Sequence, residues 1–462
     1  MEPVFTNDAV TLGVLMIVLA AIMYTSSLDD PKWKKFYTYL PARLLCYFVP
    51  ALLNWPLGLI APHWYDSGIL EFASQNGLNI TNGMSYDEIS ALLNDSGLNK
   101  DDYVQYQHHS QLYYMASRYL LPASLILLCL SIDLKGVLNL GPKALIMFFT
   151  ATAGIIIGGP IALLIISSIA PDLLGANPQD VWKGLSTIAG SWIGGGANQT
   201  AMKEIYEVKD NLFGTMIVVD VIVANFWMGF LLFGAGISDK LDGILKADNS
   251  AIEDLKKSIE DYRASISQMP TMTSLFVLMA FAFGGVALSH WGTDLITPWM
   301  SNFKETLSSL KLNSFMSKFF WLIVIATTFG LALSFTKARK LEGIGASRWG
   351  SIFIYILVAT IGMKMNIGEI FSNLGLFAVG VIWMLVHVIL LLLVAKLIRA
   401  PFFFVAVGSQ ANIGGAASAP IVASAFSPSL APVGVLMAVL GYALGTYGAI
   451  ICATLMQITS GG

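Results

Sequence analysis

Charged residues are scarce in this chain of 462 residues, of which only 12% are Asp, Glu, Lys or Arg. A soluble domain averages about 25%, and here 56% of the residues are hydrophobic. So few polar side chains cannot cover a water-soluble body of this size. The composition therefore excludes an ordinary soluble protein and predicts one that is embedded in a lipid bilayer.

The chain also lacks an excess of positive charge, since 26 Lys and Arg face 29 Asp and Glu and the net charge is −3. Nucleic-acid-binding proteins carry basic patches, so we expect no nucleic-acid partner. The three cysteines, Cys46, Cys129 and Cys452, are far apart within apolar stretches. This spacing indicates neither a disulfide framework nor a metal cluster.

Sequence motifs of hydrolytic enzymes are missing as well. The chain contains no H-E-x-x-H, no G-x-S-x-G and no pair of aspartates within an apolar run, and these are the patterns that would support a membrane enzyme. We therefore expect no enzymatic activity and no cofactor, apart from a coupling Na⁺ or H⁺.

Long apolar runs, by contrast, recur along the whole chain. A helix needs about 20 residues to cross the hydrocarbon core, and the runs predict an all-α polytopic membrane protein with about 11–13 transmembrane helices, located in the bacterial inner membrane or an equivalent cell membrane. The runs lie at Ala9–Ser26, Phe36–Leu59, Leu112–Ile132, Ala144–Ala170, Trp182–Met202, Leu212–Ile237, Thr271–His290, Phe315–Phe335, Trp349–Met365, Leu374–Leu397, Pro401–Phe426 and Ala431–Met456.

Two polar stretches divide the series. Residues 63–110 are acidic and predict an extracellular insertion in a first membrane half at 1–236. Residues 237–270 form a linker in which Ile252, Leu255, Ile259, Tyr262 and Ile266 give one apolar stripe on a charged helix. A second membrane half then covers 271–462. The linker either joins the two halves or binds a partner protein.

Short basic loops predict the orientation of the chain. Lys32, Lys34, Lys35 and Arg43 form one cluster, and Lys337, Arg339, Lys340 and Arg348 form another. The positive-inside rule places both clusters in the cytoplasm. If all twelve runs crossed the membrane, however, the two clusters would lie on opposite sides of it. Either one run does not cross fully or a further crossing lies within Trp291–Ser314.

The two halves contain matching glycine-rich segments. Gly190-Ser-Trp-Ile-Gly-Gly-Gly-Ala-Asn-Gln-Thr200 corresponds to Gly408-Ser-Gln-Ala-Asn-Ile-Gly-Gly-Ala-Ala-Ser418, and a long apolar run precedes and follows each segment. The basic loops place the segment at 132–143 inside and its counterpart at 364–373 outside, so the two repeats are predicted to be inverted. Inverted repeats with interrupted helices are the pattern of secondary transporters, whose sites lie near the bilayer midplane.

The glycines predict that each of these helices is broken, near Gly194–Asn198 and near Gln410–Gly415, with the site between them near the bilayer midplane. Non-helical backbone at membrane depth must find partners in protein or a water-filled cavity, and the half-helix ends can attract ions. Close packing of small residues is the alternative explanation. The predicted solute- and ion-binding groups in these segments are Gly194, Gly195, Gly196, Asn198, Gln199, Thr200, Ser409, Gln410, Asn412, Gly414, Gly415 and Ser418.

Asp220 lies within the apolar run Met216-Ile-Val-Val-Asp-Val-Ile-Val-Ala-Asn225. An ionisable group at this depth costs about 2.5–3.5 kcal/mol on insertion scales, so it should face a cavity or a partner. As a carboxylate it is the candidate ligand of Na⁺, and as an acid it could carry a proton; a structural hydrogen bond is the alternative. His387, in an apolar run, is more typical of a packing residue than of a proton relay.

The motifs Gly194-Gly-Gly-Ala-Asn-Gln-Thr200 and Ala411-Asn-Ile-Gly-Gly-Ala416 resemble those of the YjcL-like integral membrane family of unknown function, a distant relative of the cation:proton antiporter, bile-acid symporter and sodium–glutamate symporter group. The resemblance covers about Ala9 to Met456. It implies a core of two crossed broken helices beside a scaffold, in a homodimer that moves by an elevator-like step, with motif residues lining the crossing.

By the same resemblance, Asp220 falls on the helix where antiporters of this group keep their ion-binding acid. The chain departs from the antiporter pattern, because Val219 precedes this single acid and no basic residue lies near Ala438. The two amide-rich breaks offer more hydrogen-bonding groups than a bare cation needs, so we expect an ion-coupled symporter of a small anionic organic solute. A cation:proton antiporter centred on Asp220 is the alternative, and a non-transporting receptor or scaffold is a second one.

Overall fold

A computed structural model describes residues 2–40, 42–81, 83–132, 137–138, 140–174, 178–247, 269–309, 313–365, 375–427 and 430–460. Helices dominate these ranges, and the strands among them form one small antiparallel sheet in which β1 (His63–Tyr65) pairs with β2 (Gln107–His109). The prediction of an all-α polytopic membrane protein is confirmed.

Twenty α-helices are named here in chain order. They are α1 Asp8–Ser27, α2 Pro31–Tyr39, α3 Ala42–Asn54, α4 Gly68–Gln75, α5 Tyr86–Asp95, α6 Lys100–Tyr103, α7 Leu112–Leu130, α8 Pro142–Ile169, α9 Pro178–Gly194, α10 Gly196–Ile205, α11 Asp210–Gly236, α12 Ser238–Leu245, α13 Met272–Ser301, α14 Lys304–Ser309, α15 Lys318–Ser334, α16 Ala346–Met363, α17 Leu376–Ile398, α18 Phe402–Ile413, α19 Gly415–Phe426 and α20 Ala431–Thr459. Residues 116–120 within α7 have π-helical geometry, and short 3₁₀ turns cover Val104–Tyr106, Pro171–Leu174, Asn313–Met316 and Lys337–Ile344.

Polar side chains cap several helix starts. The Asn7 side chain accepts a hydrogen bond from the Ala9 N–H at the start of α1, and the Ser85 hydroxyl accepts one from the Glu88 N–H at the start of α5. Such caps satisfy N–H groups that have no partner within the helix. Ser85 and Glu88 form the reciprocal capping box that their spacing predicts.

Eight helices in the described part of the chain are long and apolar enough to cross a membrane, and a ninth is reached if α15 and the bent 3₁₀ segment Lys337–Ile344 are one span. The predicted runs at Trp182–Met202 and Pro401–Phe426 are each divided into two shorter helices, so neither is among the eight. The run at Phe36–Leu59 is also divided, into α2 and α3. Helix α13 extends to Ser301, so residues 291–301 continue a helix that begins at Met272.

The chain forms two compact units. The first contains Met1–Arg118 and Tyr355–Glu369, and the second contains Tyr119–Ile354 and Ile370–Gly462. Within the first unit, residues 65–103 enclose a small hydrophobic core of their own. The second unit holds two larger cores, and both interrupted helices belong to it. The predicted division into halves at 1–236 and 271–462 remains a prediction.

One order of elements occurs twice in the second unit. A long helix (α8), an interrupted helix (α9 and α10) and a second long helix (α11) are followed later by α17, by α18 and α19, and by α20. This is the order that the matching glycine-rich segments predict. The apolar stripe of the linker lies outside the described residues, as do 133–136 and 366–374 of the two loops that predict inversion.

Candidate functional site

The first interruption lies at Gly195, between α9 and α10. Gly195 has a φ of +78°, a conformation that glycine adopts without the steric penalty of a Cβ atom. Immediately before it, Gly194 lies against α20. A Cβ at Gly194 would come within 2.5 Å of the Gly441 carbonyl oxygen and 2.6 Å of the Gly445 Cα. Gly195 therefore interrupts the helix, whereas Gly194 permits close packing against α20, so both explanations of the glycines apply here.

Asp220, on α11, is only 2% exposed, and its carboxylate is the centre of a polar group beside this interruption. The Ser191 hydroxyl donates to Oδ2 at 2.6 Å, and the Trp192 indole donates to Oδ1 at 2.7 Å. From the other side of the break, the Gln199 amide donates to Oδ2 at 3.1 Å. Both halves of the interrupted helix therefore hold the same carboxylate.

This group, Asp220 with Ser191, Trp192 and Gln199, is here called the carboxylate cluster. Its oxygen atoms come from a carboxylate, a hydroxyl and an amide, which are the hard ligands that alkali and alkaline-earth cations prefer. The described residues contain no group of three His, Cys, Asp or Glu that could hold a metal ion.

Asn198 joins α10 to α20. Its Nδ2 donates to the Gly194 carbonyl at 3.0 Å and to the Tyr442 carbonyl at 3.1 Å, and its Oδ1 accepts from the Thr446 hydroxyl at 2.6 Å. The side chain is fully buried. The amide thus supplies a hydrogen-bond donor to a backbone carbonyl at the break. Irregular backbone inside a membrane protein requires such partners.

Asn412 makes the same three kinds of contact at the second interruption. Its Nδ2 donates to the Gly408 carbonyl at 3.0 Å and to the Phe148 carbonyl at 3.2 Å, and its Oδ1 accepts from Thr152 at 2.8 Å. Each asparagine follows a glycine by four residues and is bonded to a long helix through a carbonyl and a threonine four residues later. Asn198 and Asn412 were both predicted as ligands, and both amides are engaged in these structural contacts.

The second interruption lies at Gly414, between α18 and α19, where Gly415 has a φ of +57°. Gln410 and Ser418 face each other across it, and the Gln410 Nε2 donates to the Ser418 hydroxyl at 2.7 Å. A Cβ at Gly414 would collide with both side chains. Only a glycine therefore lets these two side chains meet over the break.

Gln410 is 2% exposed, and its Oε1 has no hydrogen-bond partner among the residues that the structure describes. A buried polar atom without a partner costs about 1–3 kcal/mol. Such groups in native structures are often satisfied by water, an ion or a ligand. The second interruption therefore has an acceptor that the described residues leave unmatched.

Ser409 links three helices through a chain of hydrogen bonds. The Trp227 indole donates to the Ser409 hydroxyl at 2.8 Å, and this hydroxyl lies 2.8 Å from the His387 Nε2. The His387 Nδ1 lies 3.1 Å from the Ala151 carbonyl, which can only accept. The proton of the imidazole is thus on Nδ1, and Ser409 donates to Nε2. His387 is a buried side chain with partners at both nitrogens, as a packing residue requires.

The two interrupted helices contact each other. Helix α9 packs against both α18 and α19, and α11 also packs against both. Asp220 on α11 is thereby carried by a helix that contacts both halves of the second interruption. The position of the crossing relative to a bilayer midplane stays a prediction.

The structure brings some predicted residues together and gives others local roles. Gln199 joins Asp220, Gln410 joins Ser418, and Thr200 donates to the carbonyl of Gly196 within its own helix at 2.9 Å. The sequence reasoning missed the side chains that complete these groups, although two of them stand within the first glycine-rich segment. They are Ser191, Trp192, Trp227, Thr152 and Thr446.

A salt bridge at the end of α10 was also unpredicted. Lys203 is 4% exposed, and its Nζ lies 2.9 Å from an Asp210 oxygen and 3.6 Å from a Glu204 oxygen. Its ammonium also faces the Phe213 ring at 5.7 Å. The Lys203–Asp210 salt bridge connects the end of α10 to the start of α11, the helix that carries Asp220.

All of these side chains lie in the part of the chain that matches a known protein family. Residues 99–459 match the model of a family described as "Protein of unknown function (DUF819)". The chain is also 24% identical over 346 residues to the "Uncharacterized membrane protein YjcL" of Bacillus subtilis (strain 168), an alignment that covers 71% of this chain and 80% of that protein. The chain is a multi-pass membrane protein and belongs to the family of proteins of unknown function called DUF819.

Proposed function

We propose that this protein is a secondary active transporter, an ion-coupled symporter of a small anionic organic solute. The observation that carries the proposal is the carboxylate cluster. An acid on a long apolar helix is held by donors from both halves of an interrupted helix. Ionisable groups in such positions mark ion pathways in membrane proteins.

The geometry supports coupling for a physical reason. The carboxylate is bonded to Ser191 and Trp192 on one half-helix and to Gln199 on the other. A proton or Na⁺ that binds Asp220 must displace or reorient these donors, because a protonated or cation-bound carboxylate accepts fewer hydrogen bonds. Ion binding therefore alters the contacts that hold the two half-helices together, and this differential interaction is what shifts a conformational equilibrium.

An elevator-like step in a homodimer is part of the same proposal, as is Na⁺ or H⁺ as the coupling ion. A cation:proton antiporter is the alternative that the same carboxylate favours, because Asp220 could exchange the two cations at one position. The two functions differ in whether a second, organic substrate moves with the ion.

The first prediction tests the transporter itself. Asp220→Asn keeps the size and most hydrogen bonds of the side chain but removes its charge, so we expect uptake driven by a Na⁺ or proton gradient to fall at least tenfold in proteoliposomes. The matched control is Asp294→Asn, since Asp294 is an exposed aspartate paired with Lys318. That variant should transport at the rate of the unmodified protein.

Three results would contradict this proposal. Gradient-driven uptake that is unchanged in Asp220→Asn would remove the carboxylate from the mechanism. If no solute of a broad panel is taken up while added Na⁺ collapses a preformed proton gradient, the protein is an antiporter. Absence of both activities would favour a receptor or scaffold.

A further inference from the structure

The second interruption contains a buried polar atom that the described residues leave without a partner. The Gln410 amide bonds Ser418 through Nε2, and its Oε1 has no partner in the described part of the chain. One polar atom of a side chain that is 2% exposed therefore lacks a partner among the described residues.

Open space lies beside the first residue of α19. Gly415 is buried, yet a Cβ built on it would meet no neighbouring heavy atom within 4 Å. Gly415 is the first residue of α19, a helix of 12 residues. The first N–H groups of a helix have no acceptor within it, and the helix dipole favours an anion there. A Cβ at Gly414, the residue before α19, would collide with the Gln410 Nε2, so the amide lies beside this helix start.

The charges of the two interruptions differ. The segment from Phe402 to Phe426 contains no charged residue, so nothing on it opposes an anion. The first interruption holds the Asp220 carboxylate, which attracts a cation and repels a carboxylate. The two breaks are therefore suited to ligands of opposite sign.

We infer that the second interruption is the solute subsite and that its ligand is a small carboxylate with a hydroxyl or ammonium group on the adjacent carbon. The carboxylate accepts from the first N–H groups of α19, and the neighbouring donor satisfies the Gln410 Oε1. The coupling cation binds at the carboxylate cluster. This inference rests on the proposed function, because it names the solute of that transporter.

Thermal unfolding of the purified full-length protein tests the ligand class directly. Potassium salts of propionate and lactate, together with alanine, provide three-carbon probes that differ in the group on the second carbon. We expect lactate or alanine to raise the Tm and to bind at least tenfold more tightly than propionate, since only they carry the donor for Gln410. Equal responses to all three probes, or no response to any, would overturn the inference.

Variants of the subsite test its location. Gln410→Leu removes both polar atoms of the amide, and we expect it to lose at least tenfold in lactate or alanine affinity. Ser418→Ala removes the contact that orients the amide and should lose less. The matched control is Ser424→Ala on the same helix, whose hydroxyl bonds only the local Ile421 carbonyl in the described residues; it should bind as the unmodified protein does.

Gln410→Glu keeps the length of the side chain but adds a negative charge, so it should reject the carboxylate probes even if Gln410→Leu does not fold. Affinity equal to that of the unmodified protein in either Gln410 variant would overturn the assignment of the subsite.

Binding at equilibrium needs no transport, so the two proposals can fail separately. Gln410-dependent binding without gradient-driven uptake would contradict the transporter alone. Gradient-driven uptake that depends on Asp220 but not on Gln410 would contradict the solute subsite alone.

Discussion

At the scale of single residues, the sequence identified the acid and one of its three partners, Gln199, but not the other two. Asp220 is conspicuous because an acid in an apolar run needs compensation. Ser191 and Trp192 are ordinary residues of a membrane helix, and only the fold shows that they donate to the carboxylate. Asn198 and Asn412 were recognisable as polar groups beside the breaks. Their bonds to particular carbonyls depend on packing between distant helices, which no local pattern encodes.

The contacts of Asn198 predict a large effect on stability. Asn198→Ala leaves the Tyr442 carbonyl and the Thr446 hydroxyl without this partner, and we expect it to lower the free energy of unfolding by about 2 kcal/mol or more. Asn225→Ala is the matched control, because Asn225 bonds only the Val221 carbonyl of its own helix among the described contacts; it should cost about 1 kcal/mol or less. Unfolding in mixed detergent micelles measures both variants, and equal losses would contradict the bridging role.

Glu88 gives a prediction for pH. The Ser85 N–H and hydroxyl hold the pKa of the Glu88 carboxyl below its ordinary value of 4.5. The capping box therefore stabilises the start of α5 fully above pH 4.5, and this stabilisation is lost as the pH falls through the lower folded-state pKa. Hydrogen-exchange protection of the Ser85 amide should decline over that range. In Glu88→Gln the protection should not change with pH, and a decline there would refute the assignment.

At the scale of elements, glycine composition predicted where the two helices break but not which glycine does what. Gly195 and Gly415 have positive φ angles and open space beside them, whereas Gly194 lies against the backbone of α20. The distinction depends on the packing of a helix more than 240 residues later in the chain. Sequence periodicity could not supply that contact, although it did supply the long helices on either side.

This distinction predicts losses of stability of different size for neighbouring alanine substitutions. Gly195→Ala should cost about 1–3 kcal/mol, because φ +78° with ψ −170° is a conformation that essentially only glycine adopts. Gly194→Ala should be much worse, because its Cβ would approach the Gly441 oxygen to 2.5 Å and backbone cannot rotate away. The yield of protein that stays folded in detergent and the Tm show which variant is less stable. A lower stability of Gly195→Ala than of Gly194→Ala would contradict the packing.

At the scale of the whole molecule, composition alone was sufficient for the class of protein, since the shortage of charge left few alternatives to a bilayer. The number of crossings was harder to obtain. Two runs are each divided by a break and one further run is divided into α2 and α3, and a count of apolar stretches does not distinguish these from continuous spans. The orientation from the basic loops stays a prediction.

Cysteine labelling tests that orientation. The native Cys46, Cys129 and Cys452 are each 0% exposed, so the unmodified protein should react little with a membrane-impermeant maleimide. Lys100→Cys and Lys340→Cys each place a thiol at an exposed position. In intact cells we expect the first to be labelled, and the second to be labelled only after permeabilisation. The opposite pattern would invert the assigned topology.

The contact between Gly194 and the Gly441–Gly445 stretch limits which helices can move apart in the proposed transport cycle. Two backbones this close, joined by hydrogen bonds of the Asn198 amide, one of them with the Thr446 hydroxyl, are expected to move as one rigid unit. In the proposed transport cycle, α20 therefore moves together with the first interruption. A crosslink that ties α20 to α9 should leave the rate of the proposed transport unchanged, and loss of transport in that variant would contradict the shared movement.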